Sequence, residues 1–128
     1  MTATNKKLIP HEHAEQVALF TWLKAAHPNL LAFAIPNGGH RLPKVAMELK
    51  AEGVLKGVAD VFVAQPSGSY HGLFLELKRV KYGVVSAEQK VFLERASNNG
   101  YMAVVAKGFL EAKKIIENYL ALGLNKKH

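Results

Sequence analysis

Two carboxylates and a lysine interrupt a stretch of otherwise apolar sequence. Asp60 begins the run Asp-Val-Phe-Val, and Glu76 and Lys78 belong to a second run, Leu-Phe-Leu-Glu-Leu-Lys. Two carboxylates that lie side by side repel each other unless a cation lies between them. Mg²⁺ binds one or two carboxylates together with water and phosphate oxygens. A neighbouring ammonium can then hold the attacking water or offset the charge that builds on phosphorus, so these residue types suit phosphodiester hydrolysis.

The spacing of these residues predicts that they share one place in a β-hairpin. Two apolar runs between residues 57 and 78 are separated by Gln-Pro-Ser-Gly-Ser-Tyr, which is typical of a hairpin turn. Because side chains alternate faces along a strand, Glu76 and Lys78 share a face with Phe74. An unpaired buried charge is strongly disfavoured, so charges in an apolar strand need a reason. The alternative is an Asp60 at a strand end and a Glu–Lys pair on a solvated face.

The remaining pattern predicts helices and strands in alternation. Alternating elements favour an α/β sandwich in which helices flank a central mixed β-sheet. The last strand is apolar enough to be a central one, and Leu110 is predicted to contact the core from the last helix. Besides the hairpin, we predict helices over His11–Ala26, Val45–Glu52, Ser86–Ser97 and Phe109–Leu120, and strands over Leu30–Ile35 and Tyr101–Ala106.

Length and charge indicate one basic domain. The chain has 128 residues, which we divide into a flexible arm (1–10), a domain (11–122) and a tail (123–128). Lys and Arg outnumber Asp and Glu by 17 to 10, giving a net charge of +7. Such a surface favours a polyanionic partner, of which nucleic acid is the commonest, although solubility alone also explains it.

Several classes of protein are disfavoured by what the sequence lacks. There is no cysteine, so disulfides and thiolate chemistry are excluded, which fits a reducing, cytoplasmic location. No apolar run approaches the length of a membrane span, so we expect no membrane partner. The glycine-bearing loop 36–41 lacks the lysine and serine of a nucleotide-binding P-loop, so no nucleotide cofactor is expected.

Two polar residues on helices can support the acidic pair. Glu15 lies on the inward side of the first helix, where a carboxylate is unusual. Its alternative role is to complement the helix dipole from the first turn. Gln89 follows Ser86 by three residues and forms a capping box with it. Capping alone explains Gln89, and contact with the site is the alternative.

Two segments have the composition of phosphate-binding or base-binding loops. Paired glycines let backbone amides approach a phosphate, and a basic segment with an aromatic residue can follow a backbone and stack on a base. The structural alternatives are a plain surface turn and a solvated loop. The first candidate set is Asn37, Gly38, Gly39, His40 and Arg41, and the second is Arg79, Lys81 and Tyr82.

The ordered set of motifs resembles the VRR-NUC (virus-type replication-repair nuclease) domain of the PD-(D/E)XK nuclease superfamily, in the small stand-alone form found in phages. The resemblance covers residues 12–116. One departure is Ala59, where the family often has proline, a change that affects backbone shape alone. The resemblance rests on Glu15-Gln16, Pro36-Asn37-Gly38-Gly39, Gly57-Val58-Ala59-Asp60, Glu76-Leu77-Lys78 and Ser86 with Gln89.

The resemblance implies a restriction-endonuclease-like fold and a Mg²⁺- or Mn²⁺-dependent DNA endonuclease. By motif position, Asp60 and Glu76 would be metal ligands, with the Leu77 carbonyl as a third candidate and Lys78 as the catalytic lysine. Glu15 would help to bind metal, and Gln89 would support the site. The small members resemble junction resolvases, which implies a homodimer that acts on branched DNA in phage DNA repair.

Two alternatives belong to other classes. The basic charge alone would suffice for a non-catalytic nucleic-acid-binding module on the same fold. A zinc site of His11 and His13 or His71 is a further alternative, but the spacing matches no helical zinc motif and cysteine is absent.

Overall fold

The computed structural model describes residues 11–36 and 42–123. In these residues helices and strands alternate, and the predicted elements form with small shifts at their ends. None of the described helices combines the length and the hydropathy that crossing a membrane requires. In chain order the elements are α1 (Glu12–Ala26), β1 (Ala32–Ala34), α2 (Pro43–Ala51), β2 (Val61–Val63), β3 (Leu73–Lys78), α3 (Ala87–Asn98), β4 (Met102–Lys107) and α4 (Phe109–Ala121).

The predicted hairpin forms the middle of a mixed sheet with the order β1-β2-β3-β4. β2 is antiparallel to both β1 and β3, and β3 is parallel to β4. Val61 pairs with Leu75, so Asp60, one residue before β2, lies across from Glu76. The α/β fold class and the hairpin are thereby confirmed, and the hairpin register brings the two carboxylates to one end of the sheet.

The prediction that the last strand is central was wrong. In the described sheet β4 lies at the edge, and β3 is an inner strand. The apolar sequence of β4 arises instead because α3 and α4 both pack against it. Leu110 was also misplaced, since it is 77% exposed. The buried stripe of α4 runs through Ala112 and Ile116, and Leu110 lies two residues before that stripe, on the far side of the helix.

The two faces of β3 bury different chemistry. Leu73, Leu75 and Leu77 belong to the apolar core that α1 and α4 cover. The opposite face carries Phe74, which packs edge-on against Phe92 of α3 with ring centroids 5.0 Å apart. Further along this second face the side chains change from apolar to charged, at Glu76 and Lys78, while remaining buried. An otherwise apolar strand therefore ends in buried charge.

The turn of the hairpin is fixed to the end of α4 by hydrogen bonds. The buried Ser67 hydroxyl donates to the Tyr119 carbonyl, and the Tyr119 hydroxyl donates to the Gln65 carbonyl at 2.6 Å. The Gly68 amide donates to the Gly123 carbonyl. The turn and the charged residues lie at opposite ends of the hairpin. At the turn, the buried hydroxyl groups form hydrogen bonds with backbone carbonyls of the same chain.

Candidate active site

Asp60 and Glu76 form a carboxylate pair at the end of the hairpin. Asp60 is held by the backbone, because its Oδ2 accepts a hydrogen bond from the Leu77 amide at 2.8 Å. Glu76 is 1% exposed. Its Oε1 is buried and has no hydrogen-bond partner among the described residues. A buried carboxylate oxygen without a donor lowers stability unless a ligand satisfies it.

Proximity and burial change the acidity of this pair. Burial, the negative charge of Asp60 and the hydrogen bond that a protonated Glu76 can donate to Asp60 raise the pKa of Glu76 from 4.5 to about 8. The charge of Lys78 and its hydrogen bond to Glu76 act in the opposite direction and only partly compensate. Without a further cation, Glu76 therefore keeps its proton at neutral pH. A bound cation would make the ionised form favourable.

Lys78 lies between two carboxylates. Its Nζ is 3.3 Å from Glu76 Oε2 and 4.0 Å from Glu12 Oε1, and its side chain is only 9% exposed. The turn after β3 folds back over Lys78. Gly83 lies so close to it that a Cβ added to this glycine would be 2.9 Å from the Lys78 Cβ. The ammonium is thus confined next to the acidic pair.

Gln89 both completes the capping box and contacts the acidic pair. Its side-chain Oε1 accepts from the Ser86 amide at 2.8 Å and its backbone amide donates to Ser86 Oγ at 3.1 Å, which completes the predicted capping box. Its Nε2 donates to Glu76 Oε2 at 2.9 Å. One amide group therefore joins the start of α3 to the acidic pair.

The backbone of Leu77 faces the pair, while its side chain belongs to the core. The Leu77 amide points towards Asp60. The amide and the carbonyl of one strand residue point to the same neighbouring strand, so the Leu77 carbonyl also faces the Asp60 side. The Lys78 carbonyl faces the other way and accepts from the Gly108 amide at 2.8 Å. The role of the Leu77 carbonyl as a third metal ligand stays a prediction.

Glu15 is buried, as its inward position predicted, but its nearest described partners lie at the start of α4. Its Oε1 accepts from the Phe109 amide at 3.2 Å. Its Oε2 is buried and has no hydrogen-bond partner among the described residues. A Cβ on Gly108, whose φ is +90°, would lie 2.7 Å from Oε2, so glycine makes this approach sterically accessible. Its role as a metal ligand stays a prediction.

The residues of the pair fit a divalent cation. Glu76 contributes a buried carboxylate oxygen without a partner, and Asp60 contributes a second carboxylate beside it. Two carboxylates are the usual protein share of a Mg²⁺ site. Among residues 11–36 and 42–123, no group of three His, Cys, Asp or Glu side chains is arranged to hold a metal. The remaining coordination positions would therefore fall to backbone, water or phosphate oxygens.

The basic segment after β3 is exposed beside the site. Tyr82 is 64% exposed and has a positive φ of 68°, which is uncommon for a residue with a side chain. The Arg79 guanidinium lies over its ring, 5.7 Å from the centroid. Lys81 is exposed. Their predicted contact with nucleic acid stays a prediction, and the predicted loop set from Asn37 to Arg41 lies outside the described residues.

Sequence reasoning missed Glu12. Its carboxylate approaches Lys78 from the start of α1, one helical turn before Glu15. The signal was the i, i+3 spacing of the two acids, which places them on one side of the helix.

A solved structure described as a VRR_NUC domain protein matches this chain with a TM-score of 0.73. The two share 28% sequence identity, and the match covers 90% of this chain and 92% of the other. No protein-family model matches the sequence, and no curated protein sequence matches it. The predicted resemblance to the VRR-NUC domain, with its α/β fold, is confirmed by the structural match.

Proposed function

From the similarity to a solved VRR_NUC domain protein, we propose that the chain is a Mg²⁺- or Mn²⁺-dependent endonuclease that hydrolyses phosphodiester bonds in DNA. One observation carries the proposal. Asp60, Glu76 and Lys78 meet at one sheet end, where the ionised form of Glu76 has a buried oxygen that no described residue satisfies. A structural ion pair would not need a second carboxylate beside it, since that carboxylate is unfavourable without a cation.

The residues of the site have distinct parts in the proposed reaction. The divalent ion, when bound by Asp60 and Glu76, would supply Lewis-acid polarisation of the phosphate and acidify water. Lys78 would direct its ammonium at the water or at the phosphate oxygens on which charge builds. The Leu77 amide holds Asp60 in place, and the Gln89 amide holds Glu76. Such supporting hydrogen bonds orient ligands and sharpen the geometry.

The proposal extends to substrate and assembly. Branched or junction DNA would be the preferred substrate, with Arg79, Lys81 and Tyr82 beside the site to contact the backbone and an unpaired base. A homodimer with two-fold symmetry would present two sites to two strands. The protein would act in the cytoplasm of a prokaryotic or phage-infected cell, in DNA repair. Glu15 would assist metal binding from α1.

A cleavage assay tests the activity directly. The protein is incubated with single-stranded, duplex, flapped and four-way DNA in Mg²⁺, Mn²⁺ or chelator, and products are resolved on a denaturing gel. We expect internal cuts that need a divalent ion and that Lys78→Met abolishes. Lys114→Met, a change at an exposed lysine of α4, is the matched control. Salt-sensitive DNA binding without cleavage in any divalent ion would favour the non-catalytic binding module instead.

Metal binding has a readout that is independent of cleavage. A ligand that binds only the folded state raises its thermal midpoint. We expect Mg²⁺ or Mn²⁺ to raise the midpoint of the wild-type chain and of Glu117→Gln, where an exposed carboxylate of α4 is changed. Asp60→Asn should lose the rise. An equal rise in all three proteins would place the ion elsewhere.

A further inference from the structure

The first turn of α1 brings to Lys78 a carboxylate that the proposed reaction leaves without a role. Glu12 Oε1 lies 4.0 Å from Lys78 Nζ, and the two side chains are 46% and 9% exposed, respectively. Glu12 therefore approaches a nearly buried ammonium from the surface of the protein. An ion pair with an exposed partner adds little to stability, so stability alone does not account for this contact.

Two consecutive backbone amides at the start of α4 hold both partners of this ion pair in place. The Gly108 amide donates to the Lys78 carbonyl at 2.8 Å. The Phe109 amide donates to Glu15 Oε1 at 3.2 Å. Glu12 lies three residues before Glu15, on the same side of α1. The end of β3 and the first turn of α1 are thus fixed relative to each other, which keeps Glu12 beside Lys78.

The other carboxylate at the ammonium is Glu76, and its two oxygens have different surroundings. Oε2 is 3.3 Å from Lys78 Nζ and accepts a hydrogen bond from Gln89 Nε2 at 2.9 Å. Oε1 is buried and has no partner among the described residues. Oε1 is therefore the oxygen that is left for the proposed metal ion, while Oε2 stays with Lys78 and Gln89.

A lysine ammonium has three N–H donors on a flexible stem, so a single ion pair does not fix its direction. We propose that Glu12 is a positioning residue, which acts with Glu76 to hold the Lys78 ammonium in one orientation. Glu76 accepts from one N–H and the charge of Glu12 attracts a second, so the third is left for the attacking water or the phosphate. This inference rests on the proposed function, because it concerns the same reaction.

Steady-state kinetics of cleavage test this role. We expect Glu12→Ala to lower kcat about tenfold, because a small misplacement of a reacting group slows a reaction without weakening substrate binding. The KM for DNA and the Mg²⁺ concentration that gives half the maximal rate should stay unchanged. Glu12→Gln should recover part of the lost rate, since its amide oxygen has the same reach and can accept from the ammonium.

Glu88→Ala is the matched control for these measurements. Glu88 lies in the first turn of α3, is 44% exposed, and pairs at 3.5 Å with Lys56, which is 85% exposed. It therefore reproduces the helix position, the exposure and the ion pair of Glu12, but with a lysine outside the site. We expect Glu88→Ala to keep full activity. An equal loss in Glu88→Ala and Glu12→Ala, or a loss confined to KM, would overturn the positioning role.

NMR of the lysine ammonium protons in chelator tests the contact without any cleavage. Protons that are held in buried interactions exchange with water more slowly than exposed ones. Lys78→Met identifies the Lys78 signal by its disappearance. We expect Glu12→Ala to speed the exchange of this signal several-fold and Glu88→Ala to leave it unchanged. The same exchange rate in Glu12→Ala and in the wild-type chain would mean that Glu12 does not hold the ammonium.

Failure of the positioning role and failure of the nuclease are distinguishable. If the wild-type chain cleaves DNA and Glu12→Ala cleaves it equally fast, the positioning role is overturned and the proposed function stands. Faster cleavage by Glu12→Ala would also overturn the role, since it would show that the Glu12 carboxylate repels the phosphate. A wild-type chain that cleaves no DNA in any divalent ion would overturn the proposed function, and with it the reaction for which Glu12 holds Lys78.

Discussion

The two ends of the β2–β3 hairpin bury polar groups in opposite ways. At the turn, the Ser67 hydroxyl and the Tyr119 hydroxyl both donate to backbone carbonyls within the chain. At the other end, Glu76 and Glu15 each keep a buried oxygen without a partner in the described residues. Buried polar groups in folded proteins are normally satisfied. The turn end thus satisfies its buried polar groups within the fold, whereas the charged end leaves acceptors that the proposed metal ion would satisfy.

The largest expected effect comes from neutralising the charged end. Glu76→Gln keeps the shape and the hydrogen-bond acceptor but removes the charge that a metal needs. We expect the cleavage rate to fall about 1000-fold or more. In chelator the free energy of unfolding should stay the same at neutral pH, where Glu76 keeps its proton, and should rise above the raised pKa, where repulsion with Asp60 is lost. Gel assays and thermal unfolding measure the two quantities. A large loss of stability would show that Glu76 is structural.

The second effect is a pH dependence of stability in chelator. The folded state raises the pKa of Glu76 from 4.5 to about 8, so between these values it binds more protons than the unfolded state. The free energy of unfolding should therefore fall as pH rises through this window and level off above it, by a few kcal/mol. Urea titrations give the free energy of unfolding of the wild-type chain and of Glu76→Gln at each pH. If the pKa of Glu76 is unshifted, the difference between the two proteins should not change with pH.

Saturating Mg²⁺ sharpens that test. Because a cation favours the ionised carboxylate, the fall in stability with pH should shrink or disappear in the wild-type chain when metal is present. Glu76→Gln should respond little to the ion. A fall that persists unchanged with metal would mean that the ion does not contact Glu76.

A smaller effect is expected at the turn end. Ser67→Ala removes a buried hydrogen bond to the Tyr119 carbonyl, which keeps the Leu122 amide as a donor. The loss should lower the free energy of unfolding by about 1 kcal/mol. Cleavage should be unchanged below the new midpoint. Ser69→Ala, an exposed change in the same turn, serves as the control in urea titrations. If Ser67→Ala lowered cleavage as much as stability, the two ends would not be separable.

Local rules predicted much of this arrangement. The alternation of faces along a strand placed Glu76 and Lys78 together, and the capping box fixed the start of α3 at Ser86. Both rest on residues two or three apart, where backbone geometry alone decides the outcome. Gln89 was predicted with two alternative roles, and its amide performs both contacts because its two ends point in different directions.

The features that local spacing could not predict depend on packing between distant segments. Glu15 contacts Phe109, which lies 94 residues further along the chain, so no local spacing could indicate it. The apolar sequence of β4 is compatible with two positions, a central strand and an edge strand covered by helices. The strand is at the edge, and α3 and α4 pack against it. Glu12 was within reach of the helical pattern, but its approach to Lys78 depends on how α1 crosses the end of β3.

The smallest expected effect separates the role of Gln89 in the helix cap from its contact with Glu76. Ser86→Ala removes the hydrogen bond from the Gln89 backbone amide to Ser86 Oγ. Gln89→Ala removes the other half of the capping box, the bond from the Ser86 amide to Gln89 Oε1, together with the donor to Glu76. Both should lower the free energy of unfolding by about 1 kcal/mol. Only Gln89→Ala should also slow cleavage, by about tenfold, because a hydrogen bond that orients a metal ligand is lost. Equal losses of cleavage in the two variants would mean that Gln89 affects the site only by fixing α3, and that the charged end needs no direct support from its amide.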